Sequence, residues 1–283
     1  PNHVAHRTKW IAVGRDGRRM TAYTKKELAR DDAEGWYVNP AADGFATYFA
    51  GVAAEVASRY SVRGVHLDFI RYPNYRFVYG EQDRAAFQKE RGGIDPLFLG
   101  YHKGDASIFR PAAGAAGLAD RFFDLHQLEW YDWRADQVTQ VVAETGRAVR
   151  AARPDIELSA AVWANPEHAY RYVGQEWVSW YRTGAVDTIV PMTYWGEANK
   201  VGAVAYRLKE DRPDGRVLLG IGAFNHDEAY PARVVAGLED VPCDGVVLFD
   251  YGSCWDKPGI CLLYTSDAAD DLLCVDLGGR RII

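Results

Sequence analysis

Apolar positions along this chain follow two different spacings, and the switches between them mark the elements. Phe45, Phe49, Val52, Val56 and Tyr60 step by 4, 3, 4 and 4, which predicts a helix over 43–60 with that stripe inward and Asp43 as its N-cap. A short apolar run then opens at Gly64 and closes at Tyr72-Pro73-Asn74, predicting a buried strand over 64–70. Helical spacing returns at Val138, Val141, Val142, Thr145 and Val149, predicting a long helix over 129–152 that Arg153-Pro154-Asp155 ends. From there short apolar runs alternate with helical patterns: strand 156–163, helix 169–182, strand 186–194, helix 199–211, strand 217–223, helix 228–239 and strand 245–251. Residues 1–41 are polar, with turn signals at Asp16-Gly17 and Asn39-Pro40, and read as loop with short elements. Residues 74–125 are heterogeneous, with a short helix near 81–90, and a connection of that length is normally functional or a subdomain.

Strand and helix in strict alternation specify a parallel sheet with helices outside it. An open doubly wound sheet and a (β/α)8 barrel both satisfy the order. Neither GxGxxG nor GxxxxGK[ST] follows any strand, so the nucleotide-binding versions of the open sheet lose support. Polar and aromatic residues instead stand near strand C-termini, at Asp68, Trp163, Tyr194 and Asp250, where barrel enzymes hold their chemistry. Five strands are predicted, so the α/β fold expected is a partial (β/α)8 TIM barrel.

Composition narrows the classes. Of 283 residues, 48% are hydrophobic and 25% charged, a globular balance. No run of about 18 apolar residues exists to form a membrane span. The net charge is −6 with Lys and Arg scattered, which argues against a nucleic-acid groove. Cys243 and Cys254 flank a seven-residue strand whose ends lie roughly 20 Å apart, too far for a disulfide, so both are expected as free thiols. The end of the chain, CLLYTSDAADDLLCVDLGGRRII, resembles the translation of a sequencing-library adapter: a transposase mosaic end followed by flow-cell primer codons. Residues 261–283 are therefore expected to be a non-native tail on a glycosidase-like domain of residues 1–260.

That domain type comes from a resemblance. The segment GWYVNPAADGFATYFAGVAAEVASRYSVRGVHLDFIRYP is similar to the glycosyl-hydrolase-like family 10, in which an Asn-Pro turn leads through a helix to a strand ending in Asp and Arg-Tyr-Pro. Three further blocks match in order: YDWRADQVTQVV, QEWVSWYRTGAVDTIVPMTYW, and LLGIGAF followed by GVVLFDY. Arg63 stands where Asp is common, and Phe69 where a second acidic residue often follows. The resemblance implies a TIM barrel in which 64–70 is the fourth strand, with the first three encoded upstream of Pro1. It further implies a bacterial glycosidase acting outside the cytoplasm on a polysaccharide or oligosaccharide, with peptidoglycan strands the best-supported class.

Glycoside hydrolysis ordinarily needs two carboxylates, about 5–5.5 Å apart for retention and roughly 6.5–9.5 Å for inversion. Asp68 leads. Side chains alternate along a strand, so His66, Asp68 and Ile70 share one face while apolar Val65 and Leu67 suit the helix layer. The competing reading of Asp68 is a structural carboxylate paired with Arg71 or capping the next turn. For the second carboxylate, Glu197 after Tyr194-Trp195-Gly196 is favoured slightly over Asp250, while Asp187 starts its strand and reads as structural. Trp163, Tyr194 and Trp195 could stack on a sugar face, and His66, Arg71 and Asn165 could hydrogen-bond its hydroxyls; each is equally explained by packing or turn formation. Trp130, Trp133, Trp177 and Trp180 have helical spacing and read as core. No HExxH, CxxC or His/carboxylate cluster predicts a metal, no cofactor is expected, and no GxSxG points to a serine nucleophile. Two alternatives stay open: a carbohydrate-binding barrel without catalysis, and a different barrel hydrolase such as a metal-dependent deacetylase.

Overall fold

The apolar runs pair into one parallel sheet in the computed structural model, which describes residues 8–99, 118–194, 196–224, 226–250, 252–253, 275–276 and 281–282, with backbone only over 118–124, 275–276 and 281–282, the last two forming a short antiparallel pair. In chain order the elements are α1 (Lys25–Arg30), α2 (Phe45–Arg59), β1 (Gly64–Leu67), α3 (Glu81–Arg91), α4 (Leu118–Ala152), β2 (Glu157–Trp163), α5 (Pro166–His168), α6 (Trp177–Thr183), β3 (Thr188–Met192), α7 (Ala198–Asp211), β4 (Arg216–Gly222), α8 (Tyr230–Ala236) and β5 (Gly245–Phe249). The sheet order is β1-β2-β3-β4-β5, every neighbour parallel, as successive right-handed βα units produce. The chain is α/β, and the five strands form part of a (β/α)8 barrel.

The described chain groups into two compact units. The first comprises residues 1–49, 71–144 and 170–176. Its α1 starts with a capping box, in which Thr24 and Glu27 satisfy each other's backbone N–H groups. Its core is aromatic. Trp130 and Trp133 stack at 5.1 Å, with the Phe87 ring edge-on at 5.0 Å from Trp130. Arg134 is fully buried there and donates to the carbonyls of Asn74 (3.0 Å), Tyr172 and Arg171 (both 3.4 Å), with its guanidinium 4.7 Å over the Tyr72 ring.

The second unit, residues 50–70, 145–169 and 177–283, holds the sheet. Register fixes its faces, because paired residues of parallel strands point the same way. Leu158, Ala160 and Val162 pair with Val65, Leu67, Ile189 and Pro191 on one face, and this face is the buried one. The other face carries His66, Ser159, Ala161, Trp163, Thr188, Met192, Arg216 and Gly220, and it is more open. At its N-terminal edge Arg216 bridges both Glu157 oxygens at 2.7 Å, and the Thr188 hydroxyl donates to the same carboxylate. Val65 belongs to the helix side, packed with Val62 against Ala53, Ala57, Val149 and Ile156.

Two expectations about elements change. Phe45 at the start of α2 is buried as its spacing predicts, but further along the buried residues are Ala50, Ala53 and Ala57, while Val52, Val56 and Tyr60 are exposed. Alanine lets the backbone come close to Val149 and Ile156, and the rotation that seats it turns the larger side chains outward. The helix expected over 169–182 is divided: α5 gives way to a wide turn at Ala169–Val173, and α6 starts at Trp177. Gly174 makes the break, with φ at 71° and its N–H returning to the Tyr170 carbonyl at 3.1 Å. A Cβ there would also meet the Tyr72 ring at 2.9 Å.

Candidate active site

Asp68 is the first residue beyond β1. It is exposed, and its carboxylate accepts the Phe69 N–H at 2.8 Å. Phe69 has φ of 53°, a left-handed conformation that costs a bulky residue of order 1–3 kcal/mol and concentrates at functional turns. That turn ends the ladder and leaves Phe69 itself exposed. His66, two residues back on the open face, shares a 2.8 Å hydrogen bond between Nδ1 and the Ser159 hydroxyl on the neighbouring strand. Desolvation by the surrounding sheet lowers the His66 pKa, and the negative charge of Asp68 opposes that shift without cancelling it. His66 thus lies on the face opposite the Leu67 and Val65 side chains, where strand alternation puts it, and Asp68 follows directly beyond the strand's end.

The other candidates separate into those at the sheet's C-terminal end and those with structural tasks. Tyr194 follows β3, and its ring stacks on Phe249 at 5.6 Å and 16°. His226 Nε2 lies 3.1 Å from the Tyr194 carbonyl. Asp250 directly follows β5, and its carboxylate accepts the Ser253 N–H at 2.7 Å. Trp163 ends β2 half-buried, 4.8 Å from the His168 ring. Asn165 is the N-cap of α5, accepting the His168 N–H at 2.9 Å, so its amide oxygen already has a local task. Glu197 is the N-cap of α7 by position but makes no capping bond; it is exposed and 3.7 Å from Lys200. Asp187 sits at the N-terminal end of its strand, bound by Arg150 at 3.1 Å and the Leu158 N–H at 2.8 Å, which is a structural role. Arg71 belongs to the first unit, only 8% exposed, with its guanidinium 3.7 Å from Glu34. Its burial is a packing arrangement that strand alternation could not reveal. Trp195 and Cys254 lie outside the described residues; Cys243 is a free thiol.

Two residues at the sheet's end escaped the sequence reading. Phe224 follows β4, and Phe249 ends β5 on the open face; both rings pack against Tyr194. The signal for Phe249 was present, since GVVLF alternates and puts Gly245, Val247 and Phe249 on one face. Among the described residues no group of three His, Cys, Asp or Glu side chains has the geometry to hold a metal. In the first unit, partial desolvation and neighbouring carboxylates raise the pKa values of the exposed Asp136 and Glu176, the Arg91 guanidinium opposing the shift at Asp136, and the Tyr170 hydroxyl donates to nearby Asp132.

The sequence model of the glycosyl hydrolase-like 10 family matches residues 13–221, a span that includes β1 with Asp68 and runs through most of β4. The chain belongs to this family. A search of curated proteins finds no match. Among solved structures, the chain is similar to a beta-galactosidase from the psychrophilic Marinomonas ef1, with a TM-score of 0.55 and 13% sequence identity. The match covers 89% of this chain and 42% of that one, so the chain spans less than half the length of the enzyme it resembles. At this identity the likeness concerns the fold, and it agrees with a partial barrel. In barrel enzymes the chemistry sits at the C-terminal end of the sheet, which is where Asp68, Tyr194 and Asp250 stand in this chain.

Proposed function

We propose that the protein is a glycoside hydrolase of bacterial glycan strands, with the glycan backbone of peptidoglycan as substrate and a carboxylate acid/base mechanism. The observation that supports this most directly is the placement of Asp68. It stands exposed directly beyond the C-terminal end of β1, in a turn with a left-handed Phe69. An oxocarbenium-like transition state gains from a carboxylate beneath it, and Asp68 is fixed for that task by its bond to the Phe69 N–H. For the partner carboxylate we favour Asp250 over Glu197. Asp250 is held by a backbone N–H at the end of a sheet strand, whereas Glu197 projects into solvent beside Lys200. A peptidoglycan substrate places the working protein outside the cytoplasmic membrane.

The test is hydrolysis of glycan strands released from peptidoglycan by an amidase, with products resolved by mass spectrometry. Asp68→Asn is expected to lower turnover by about 10²–10⁴-fold while leaving the unfolding midpoint in place. Undiminished cleavage by Asp68→Asn would remove Asp68 from the mechanism.

A further inference from the structure

Three strands deliver one aromatic ring each to a single place in the second unit. Tyr194 comes from the end of β3, Phe224 from the end of β4 and Phe249 from the end of β5. Tyr194 and Phe249 are stacked at 5.6 Å; Phe224 stands edge-on to both, at 5.7 Å and 89° from Tyr194 and 5.9 Å and 90° from Phe249. Both arrangements are ones that the ring quadrupoles favour, so the cluster holds its own geometry. It is nevertheless not core. Phe224 is 48% and Phe249 43% exposed, while the four helix tryptophans at positions 130, 133, 177 and 180 are all at 1% or less.

Room for the cluster is written into β4. Gly220 faces the same side as Met192 and Val247, and a Cβ on it would lie 2.9 Å from the Pro191 carbonyl and 3.4 Å from the Tyr194 ring. Glycine is needed there for the close approach of the Pro191 carbonyl, and the Tyr194 ring then lies at contact distance over the strand. The rings also adjoin one candidate carboxylate, since Phe249 is the residue before Asp250. An ordered, half-exposed apolar surface with a carboxylate at its edge matches a sugar, which has an apolar C–H face and a hydroxylated rim.

We infer that Phe224 and Phe249, backed by Tyr194, form a stacking platform for the C–H face of a pyranose unit of the glycan. The platform makes these two phenylalanines binding residues beside Asp250. It rests on the glycosidase reading for its ligand class but not for catalysis, and the experiment separates the two. Binding of amidase-released glycan strands and of chitohexaose to the full chain is measured by calorimetry, alongside cleavage of the same strands. Phe224→Ala and Phe249→Ala are each expected to weaken binding roughly 3- to 10-fold, with Phe249→Tyr close to the parent. Should an alanine variant fold poorly, Phe224→Leu with Phe249→Leu keeps the apolar volume and removes the ring faces, and a comparable loss is expected.

Binding that persists undiminished in the folded double variant overturns the platform, as does a parent chain that binds neither probe. A parent that binds strands in a phenylalanine-dependent way without cleaving them keeps the platform and removes the catalytic reading. Cleavage and binding that ignore both phenylalanines do the reverse. The same variants are run in sedimentation, and a dimer that they dissociate would show that the rings serve a second copy of this chain and overturn the sugar assignment.

Discussion

At the scale of single residues, His66 and the two aspartates carry the sharpest consequences. The folded environment lowers the His66 pKa from its ordinary 6.5, so the native state takes up a proton less readily than the unfolded chain. Its contribution to stability is therefore complete above pH 6.5 and declines as the pH falls through 6.5 toward the lowered value. His66→Gln, which can keep a hydrogen bond to Ser159, is expected to flatten that part of the stability profile, as read by denaturant unfolding at a series of pH values. An unchanged slope would show that another group sets it. For the carboxylates, Asp250→Asn is expected to reduce strand cleavage by about 10²-fold or more, and Glu197→Gln to leave it within a few-fold. The reverse ranking, measured on the same glycan strands, would transfer the second role to Glu197. The position of His66 was legible because strand alternation needs only the period of two, whereas the strand expected over 64–70 ends at Leu67 and Asp68 stands just beyond it. Arg71 was not, since its proximity to Glu34 joins segments 37 residues apart and leaves no local pattern.

Elements were legible in type and less so in orientation. All five strands fall where their spacing places them, because bounded apolar runs are strong local signals, and the long helix ends where expected but starts at Leu118 rather than at 129. The α2 stripe misled because helical periodicity locates a face without saying which of two faces is buried. The large side chains Phe45, Phe49, Val52, Val56 and Tyr60 made one stripe; Phe45 is buried as that stripe places it, but beyond it close approach of the backbone selected the alanines over Val52, Val56 and Tyr60. The difference is measurable. Ala57→Leu forces extra volume against Val149 and Ile156 and is expected to destabilise the fold by about 1–3 kcal/mol. Val56→Ser, on the exposed side one residue away, is expected to stay within about 0.5 kcal/mol of the parent. Equal losses in chemical denaturation would restore the larger stripe to the core. Gly174 was a readable stop inside the expected 169–182 helix, and the apolar spacing on either side concealed it.

For the molecule as a whole, the barrel-like order was legible because strictly alternating elements admit few topologies, and the absence of phosphate-binding turns removed the main competitor. The grouping into two units was less so, although the irregular stretch 74–125 marked where it would arise: most of it belongs to the first unit together with the polar N-terminal region. The tail makes a separate claim at this scale. We propose that residues 261–283 are adapter-derived, and a segment of that origin would have had no selection to complement the sheet or the aromatic core. Deleting Cys261–Ile283 is accordingly expected to leave the thermal midpoint within about 1 °C and both glycan binding and cleavage unchanged, since a loss of about 1 kcal/mol would move a chain of this size by roughly 2–4 °C. A shift of several degrees, or loss of binding with the fold intact, would show instead that the tail packs against the domain and belongs to the protein.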